Sequence, residues 1–180
     1  MDQIKEILPH TWLVQLARFE DLRGAFVKTL SKSMLDKMGC KFNLLEEYYS
    51  ISKKDVIRGM HFQMPPHDHV KIVYCIAGSA LDVVLDLRPG STHGKFCSVT
   101  LDSSLPSLLI IPKGVAHGFR SLTDGCLMVY KTSSEYADEH DAGILWNSFD
   151  FDWGLSKPIL SKRDRTHCAF KDFQTPFPRL

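Results

Sequence analysis

From Val70 onward the chain repeats one pattern. Six to eight residues rich in Val, Ile, Leu and aromatics are followed by a short break of Gly, Ser, Pro or Asp. The runs are VKIVYCIA, ALDVVLDL, KFCSVTL, SLLIIP, CLMVYKT and ILWNSF; the breaks include GS, RPGSTHG, DSSLPS and SLTDG. Apolar β-branched runs bounded by turn formers predict strands. Regularly spaced short strands predict a sandwich or barrel rather than alternating β and α units. Alternation with a period of two puts Asp82 and Asp86 on one face, turned either to solvent or to a barrel mouth. One helix is expected, in SKSMLDKMG, with Ser31 or Ser33 as N-cap, Met34, Leu35 and Met38 as a short apolar stripe, and Gly39 as the stop.

Composition narrows the class. A chain of 180 residues with 44% apolar content supplies the core of one domain spanning 1–180, without repeats, low-complexity tracts or a Gly/Ser linker. The formal charge of +1, with no Lys/Arg block, gives no electrostatic footprint for nucleic acid or an anionic membrane. The first thirty residues interrupt every apolar run with a charge, so they do not read as a signal peptide, and no stretch reaches ~18 apolar residues. A cytoplasmic protein is expected. The five cysteines are odd in number and widely spaced, and Cys75, Cys97 and Cys126 fall inside apolar runs, which predicts reduced core thiols.

Two segments carry the candidate chemistry. The first is RGMHFQMPPHDHVKIVYCIAG, from Arg58 to Gly78; the second is the Pro-x-Gly-x-x-His run from Pro112 to His117. Together they resemble the two motifs of cupins and sharpen the all-β expectation to a jelly-roll barrel with a short helix and flanking N- and C-terminal segments. In metal-binding cupins the first motif adds a Glu a few residues after its His pair. Here Lys71, Ile72, Val73 and Tyr74 follow His69, and a lysine ammonium beside a divalent cation is electrostatically wrong. No metal and no cofactor are therefore expected, and His67 and His69 read as a loop after Pro65 and Pro66. A barrel lined by His61, Lys71, His117 and Tyr130 would instead hold a base, a cation, a second imidazole and a phenol, the groups that move a proton beside a carbonyl. Taken singly, a strand histidine is more often structural and a tyrosine in LMVYK more often core.

The segments DLRGAF, VIRGMHFQMPP, VKIVYCIAGSALDVVLDLRPGSTHGKF, IPKGVAHGF, VYKT, GILWN and PILSKRD, in this order, resemble the dTDP-4-dehydrorhamnose 3,5-epimerase family from about residue 20 to 165. The resemblance implies a metal-free homodimeric cupin that epimerises the carbons flanking the 4-keto group of a nucleotide-linked 6-deoxy sugar. It implies that His61 is the base, Asp164 the carboxylate that orients it, Lys71 the cation facing the enolate, and Tyr130 the acid on the opposite face. His117 would line the pocket, and Arg23 and Arg58 would hold the diphosphate. Phe26, Lys28, Glu46, Gln63 and Tyr136 complete the substrate-binding set that it implies.

The chain departs from the family at several points. His69 and Val70 stand where Gln-Gly usually precedes the lysine, and Lys28, Glu46 and Tyr48 replace a Glu, a Gln and an Asn associated with a thymidine nucleotide. The donor and acceptor pattern offered to a nucleotide therefore differs. Three readings stay open: a sugar-nucleotide epimerase acting at C3, C5 or both, with dTDP or another nucleotide; a non-catalytic cupin that binds a sugar nucleotide; and a metal-dependent cupin.

Overall fold

In the computed structural model, which describes residues 3–179, apolar alternation resolves into two antiparallel sheets packed face to face. Strands β1 (Gln3–Leu8), β2 (Thr11–Gln15), β3 (Arg18–Asp21) and β4 (Gly24–Val27) precede helix α1 (Lys32–Lys37). Then come β5 (Glu46–Ser52), β6 (Ile57–Gln63), β7 (Lys71–Ala77), β8 (Ser79–Asp86), β9 (Phe96–Asp102) and β10 (Ser107–Ile111). Strands β11 (Val115–Ser121), β12 (Cys126–Thr132) and β13 (Asp141–Gly143) follow, before a C-terminal segment with short 3₁₀ turns. One sheet runs β1-β2-β10-β7-β12-β5, the other β13-β6-β11-β8-β9, and β3-β4 forms a separate hairpin. This is the expected all-β, cupin-like architecture.

The inner runs are apolar almost without interruption because both faces of the central strands are covered. On β7, Val73 and Cys75 face the space between the sheets, where they meet Val84, Leu109, Phe119, Met128 and Tyr130. Their neighbours Ile72 and Tyr74 face outward and are covered by Met34 and Leu35 of α1 and by Met38 just after it. On β8, Val83 and Leu85 face outward and are covered by Trp153 and Phe177 of the C-terminal segment. The helix starts as expected: Ser31 Oγ accepts from the Met34 amide at 3.3 Å, and Gly39, at φ +61°, follows its last turn.

Two expectations change. ILWNSF is not a strand: Ile144 makes an isolated bridge to Cys168, and the Ser148 amide and hydroxyl both donate to the Leu145 carbonyl, at 3.0 and 2.8 Å. That local hydrogen bonding diverts the backbone from a ladder. All five thiols are free, but only Cys75 and Cys126 are buried; Cys40 and Cys97 are partly covered and Cys168 is exposed. Cys97 lies on β9, at the edge of its sheet, which explains its incomplete cover.

Candidate active site

A cavity of about 630 Å³ opens between the sheets. The five-stranded sheet contributes His61 from β6 and His117 from β11, which are direct partners in the ladder. The six-stranded sheet contributes Lys71 from β7, Tyr130 and Thr132 from β12, and Tyr48 and Ser50 from β5. Lys71 pairs with Thr132 and Val73 with Tyr130, so Lys71 and Tyr130 stand on the same face of adjacent strands. Beside His61 the chain is unusually tight: Gly59 has φ +142°, and a Cβ there would lie 2.5 Å from the Gly118 Cα. Only glycine allows β6 and β11 to approach this closely.

His61 Nε2 lies 2.6 Å from Asp164 Oδ1, which comes from a 3₁₀ turn far along the chain. An N–H donated to this carboxylate leaves Nδ1 to carry the ring's lone pair. Burial lowers the His61 pKa to about 4 although Asp164 pulls it upward; Arg163 and Lys71 add to the decrease. The ring is thus a neutral acceptor at physiological pH. Burial works against the Asp164 charge too, but the neighbouring His167 ring and the hydrogen bond with His61 outweigh it and hold the carboxyl below its ordinary range. His167 was missed in the sequence. Its Nε2 is 3.5 Å from Asp164 Oδ1, and its ring lies against Gly143, where an added Cβ would approach within 2.5 Å. Gly143 in turn pairs with His61, so three elements fix one imidazole.

Lys71 is buried, and burial lowers its pKa to about 8 while Asp141 and Asp82 oppose the fall. Tyr130 is stacked on Tyr48, with centroids 4.8 Å apart and planes 15° apart, and its hydroxyl is 3.0 Å from Ser50 Oγ. Burial raises the Tyr130 pKa far above its ordinary value, so the phenol keeps its proton. His117 lines the cavity as expected, and its Nε2 lies 2.8 Å from Asp82 Oδ2. Asp82 and Asp86 are both fully buried, which answers the question of their face: Asp82 turns to His117 and Asp86 to Arg88.

The H-D-H loop does not converge. His67 packs on His140 with centroids 4.5 Å apart, Asp68 meets Lys113 at 3.2 Å, and His69 reaches the cavity. Among the described residues His61, Asp164 and His167 bring three potential metal-binding atoms within 4.8 Å. Ligands of a tetrahedral metal with bonds of ~2.0–2.1 Å stand about 3.3 Å apart. The 2.6 Å contact of His61 with Asp164 is instead a hydrogen-bond length.

The remaining candidates separate into three groups. Arg58, Glu46 and Tyr136 line the cavity, although one Glu46 oxygen already accepts the Tyr136 amide at 2.8 Å. Gln63 also lines it, but its amide is engaged by protein: Oε1 accepts from the Ala137 amide at 2.7 Å, and Nε2 faces the His67 and Glu135 carbonyls and His69 Nδ1. It organises loops rather than offering a free group. Arg23, Phe26 and Lys28, expected to bind substrate, do not line the cavity of their own chain. They sit on or just after the β3–β4 hairpin, which pairs only with itself; the Arg23 side chain is 90% exposed beside Asp21, and Phe26 is 62% exposed. Arg163, Asp141 and Ser161 line the cavity and were not anticipated. Arg163 adjoins Asp164 in SKRD, the one signal that could have found it.

The comparisons with known proteins agree with this geometry. The family model described as dTDP-4-dehydrorhamnose 3,5-epimerase matches residues 5–172. The chain belongs to that family. It is 35% identical over 176 residues to the dTDP-4-dehydrorhamnose 3,5-epimerase of Shigella flexneri, covering 96% of this chain and 97% of that one. It is 36% identical over 169 residues to the enzyme of that name from Escherichia coli, covering 91% of each. Among solved structures it is similar to the dTDP-6-deoxy-D-glucose-3,5-epimerase of Legionella pneumophila, solved in complex with dTDP-4-keto-L-rhamnose. There the TM-score is 0.93 at 27% identity, over 100% of this chain and 99% of that one. The dTDP-4-dehydrorhamnose 3,5-epimerase of Bacillus anthracis, with TDP and pyrophosphate bound, gives a TM-score of 0.89 at 30% identity, over 93% and 98%. No helix among the described residues is long and apolar enough to cross a membrane.

Proposed function

We propose that this chain, acting as one domain over 1–180 in the cytoplasm, inverts C3, C5 or both in a nucleoside-diphosphate-linked 4-keto-6-deoxy sugar, without a metal or cofactor. The observation that carries the mechanism is the pairing of a neutral His61–Asp164 dyad on one wall with a protonated Tyr130 on the other. His61 takes the proton from the carbon beside the ketone. The C–H electron pair moves onto the C4 oxygen as an enolate, whose charge the buried Lys71 ammonium stabilises. Tyr130 then delivers its proton to the opposite face of the carbon, and both side chains return to their starting protonation by exchange with solvent. His117, paired with Asp82, shapes the wall beside His61.

The working unit is a homodimer. The β3–β4 hairpin exposes Phe19, Leu22 and Phe26, and β5, at the open edge of its sheet, exposes Tyr49 and Ile51. A second copy is the occupant that both surfaces suit, because an apolar hairpin and an open strand edge are each incomplete alone. Arg23, Phe26 and Lys28 would then serve the partner's cavity, with Arg58 holding the diphosphate from within the chain. Light scattering of the Arg23→Ala and Phe26→Ala variants tests the arrangement; a monomeric wild type would overturn it.

The mechanism is tested by incubating the protein in D₂O with a panel of 4-keto sugar nucleotides that differ in base, following deuterium at C3 and C5 by NMR. Wild type should incorporate deuterium and invert. Tyr130→Phe should incorporate deuterium with retained configuration, because His61 can return a solvent-equilibrated proton to the original face. Lys71→Ala should lose exchange and inversion together. Wild-type inversion in Tyr130→Phe would reassign the acid, and tight binding of the sugar nucleotides without exchange would favour a non-catalytic cupin.

A further inference from the structure

The phenol on the wall opposite His61 is held at two points by one strand. Period-two alternation puts Tyr48 and Ser50 of β5 on one face, and both line the cavity. Tyr48 lies directly opposite Tyr130 in the ladder and stacks on its ring, while Ser50, opposite Met128, is the diagonal neighbour. From that position the Ser50 Oγ lies 3.0 Å from the Tyr130 hydroxyl, and neither oxygen has another hydrogen-bond partner among the described residues. At rest either hydroxyl can donate. Once Tyr130 has given up its proton, however, its oxygen only accepts, and the contact survives only with Ser50 as the donor.

We propose that Ser50 is a positioning residue for the acid, donating its hydrogen bond to the Tyr130 oxygen as the phenol proton passes to carbon. The inference rests on the role of Tyr130 proposed above. A phenolate at this place needs such a donor. Tyr130 is 6% exposed, and burial pushes its pKa far above the ordinary value, which makes the phenol a reluctant acid; the Ser50 hydroxyl is the foremost opposing influence, ahead of Arg58. In the step itself the phenol O–H bond breaks and its electrons stay on oxygen. The proton joins carbon, where the enolate electron pair forms the new C–H bond. Ser50 keeps its own proton, and Tyr130 regains one from solvent. Hydrogen bonds to charged groups are stronger than those between neutral groups, so the Ser50 contact strengthens as the phenolate develops, which speeds that step. Deprotonation belongs to His61 on β6 and Lys71 on β7, and does not depend on Ser50.

The test compares Ser50→Ala, which removes the donor, with Ser50→Thr, which keeps a hydroxyl, in D₂O with the 4-keto-6-deoxy sugar nucleotide that wild type inverts fastest. In Ser50→Ala, inversion should fall about 10- to 100-fold, while total deuterium incorporation and KM each change less than about threefold. The deuterium should then appear in sugar of retained configuration. Ser50→Thr should recover most of the inversion. A merely structural role would lower exchange and inversion together. That parallel loss, inversion within twofold of wild type in Ser50→Ala, or no recovery in Ser50→Thr would each overturn the inference. Wild-type inversion in Tyr130→Phe would instead remove the acid that Ser50 serves and overturn the underlying reading, so the two failures are distinguishable. If Ser50→Ala does not fold, Ser50→Cys, a weak donor at similar volume, takes its place and should show the same split between exchange and inversion.

Discussion

Two histidine–carboxylate pairs stand side by side on one wall of the barrel, and their surroundings give them different chemistry. His61 with Asp164 and His117 with Asp82 have similar contacts, 2.6 and 2.8 Å. The His61 side chain is 26% exposed, toward the cavity, whereas that of His117 is 4% exposed. Behind His61, Asp164 is charged and shared with His167, and its pKa is lowered; behind His117, burial raises the Asp82 pKa, and its Oδ1 has no partner. In the proposed mechanism one pair accepts a proton and the other holds a wall. A dyad is therefore a catalytic base only when the free nitrogen is accessible and the carboxylate is held ionised by its other neighbours.

The largest contrast is expected from the rings themselves. His61→Asn should reduce deuterium exchange by about 10³-fold with the fold intact, because no other group begins the reaction. His117→Asn should lose about tenfold in exchange but destabilise the protein by roughly 1–3 kcal/mol, since it disturbs the buried contact to Asp82. Exchange rates and chemical denaturation of both variants check this, and equal losses of activity would erase the distinction between the pairs.

The carboxylates sharpen it further. Asp164→Asn should slow exchange by about 10²-fold, whereas Asp82→Asn, replacing a carboxyl that burial already disfavours as an anion, should cost only a few-fold and leave stability nearly unchanged. A larger loss from Asp82→Asn than from Asp164→Asn would reverse the assignment.

Acidity provides a third comparison. His61 must be neutral, so activity should fall as the pH drops through about 4; Lys71 must be charged, so it should fall as the pH rises through about 8. Because Asp164 raises the His61 pKa, Asp164→Asn should move the acid limb to lower pH, and Asp82→Asn should leave it in place. A kcat/KM profile of the three proteins measures both limbs. The smallest effect is expected from Gly143→Ala, whose Cβ would displace the His167 ring and loosen only the His61 pair: a few-fold loss in exchange, with the His117 pair unaffected. Wild-type kinetics there would show that His167 does not help to hold Asp164.

The apolar runs VKIVYCIA, ALDVVLDL, SLLIIP and CLMVYKT were legible as strands because burial on both faces leaves a local signature, KFCSVTL because a half-covered edge strand alternates, and the helix was legible from Ser31 and Gly39. The four N-terminal strands were not: charged and polar residues interrupt β1 and β3, and β2 and β4, five and four residues long, are too short to leave a periodic signal. His61, Lys71, His117 and Tyr130 could be assembled as a site because they sit in or beside recognisable motifs. Asp164 came only through the family resemblance, and His167 not at all.

What the sequence by itself determined was which segments must be buried and which side chains carry proton chemistry, since hydrophobicity and functional groups belong to residues. The tertiary structure alone decided who faces whom: that Asp82 turns inward to His117, that Asp164 crosses 103 positions to reach His61, and that the Arg23 hairpin leaves its own cavity. Strand pairing brings distant residues together through hydrogen bonds common to every backbone, so the partners it selects leave little mark on either segment read alone.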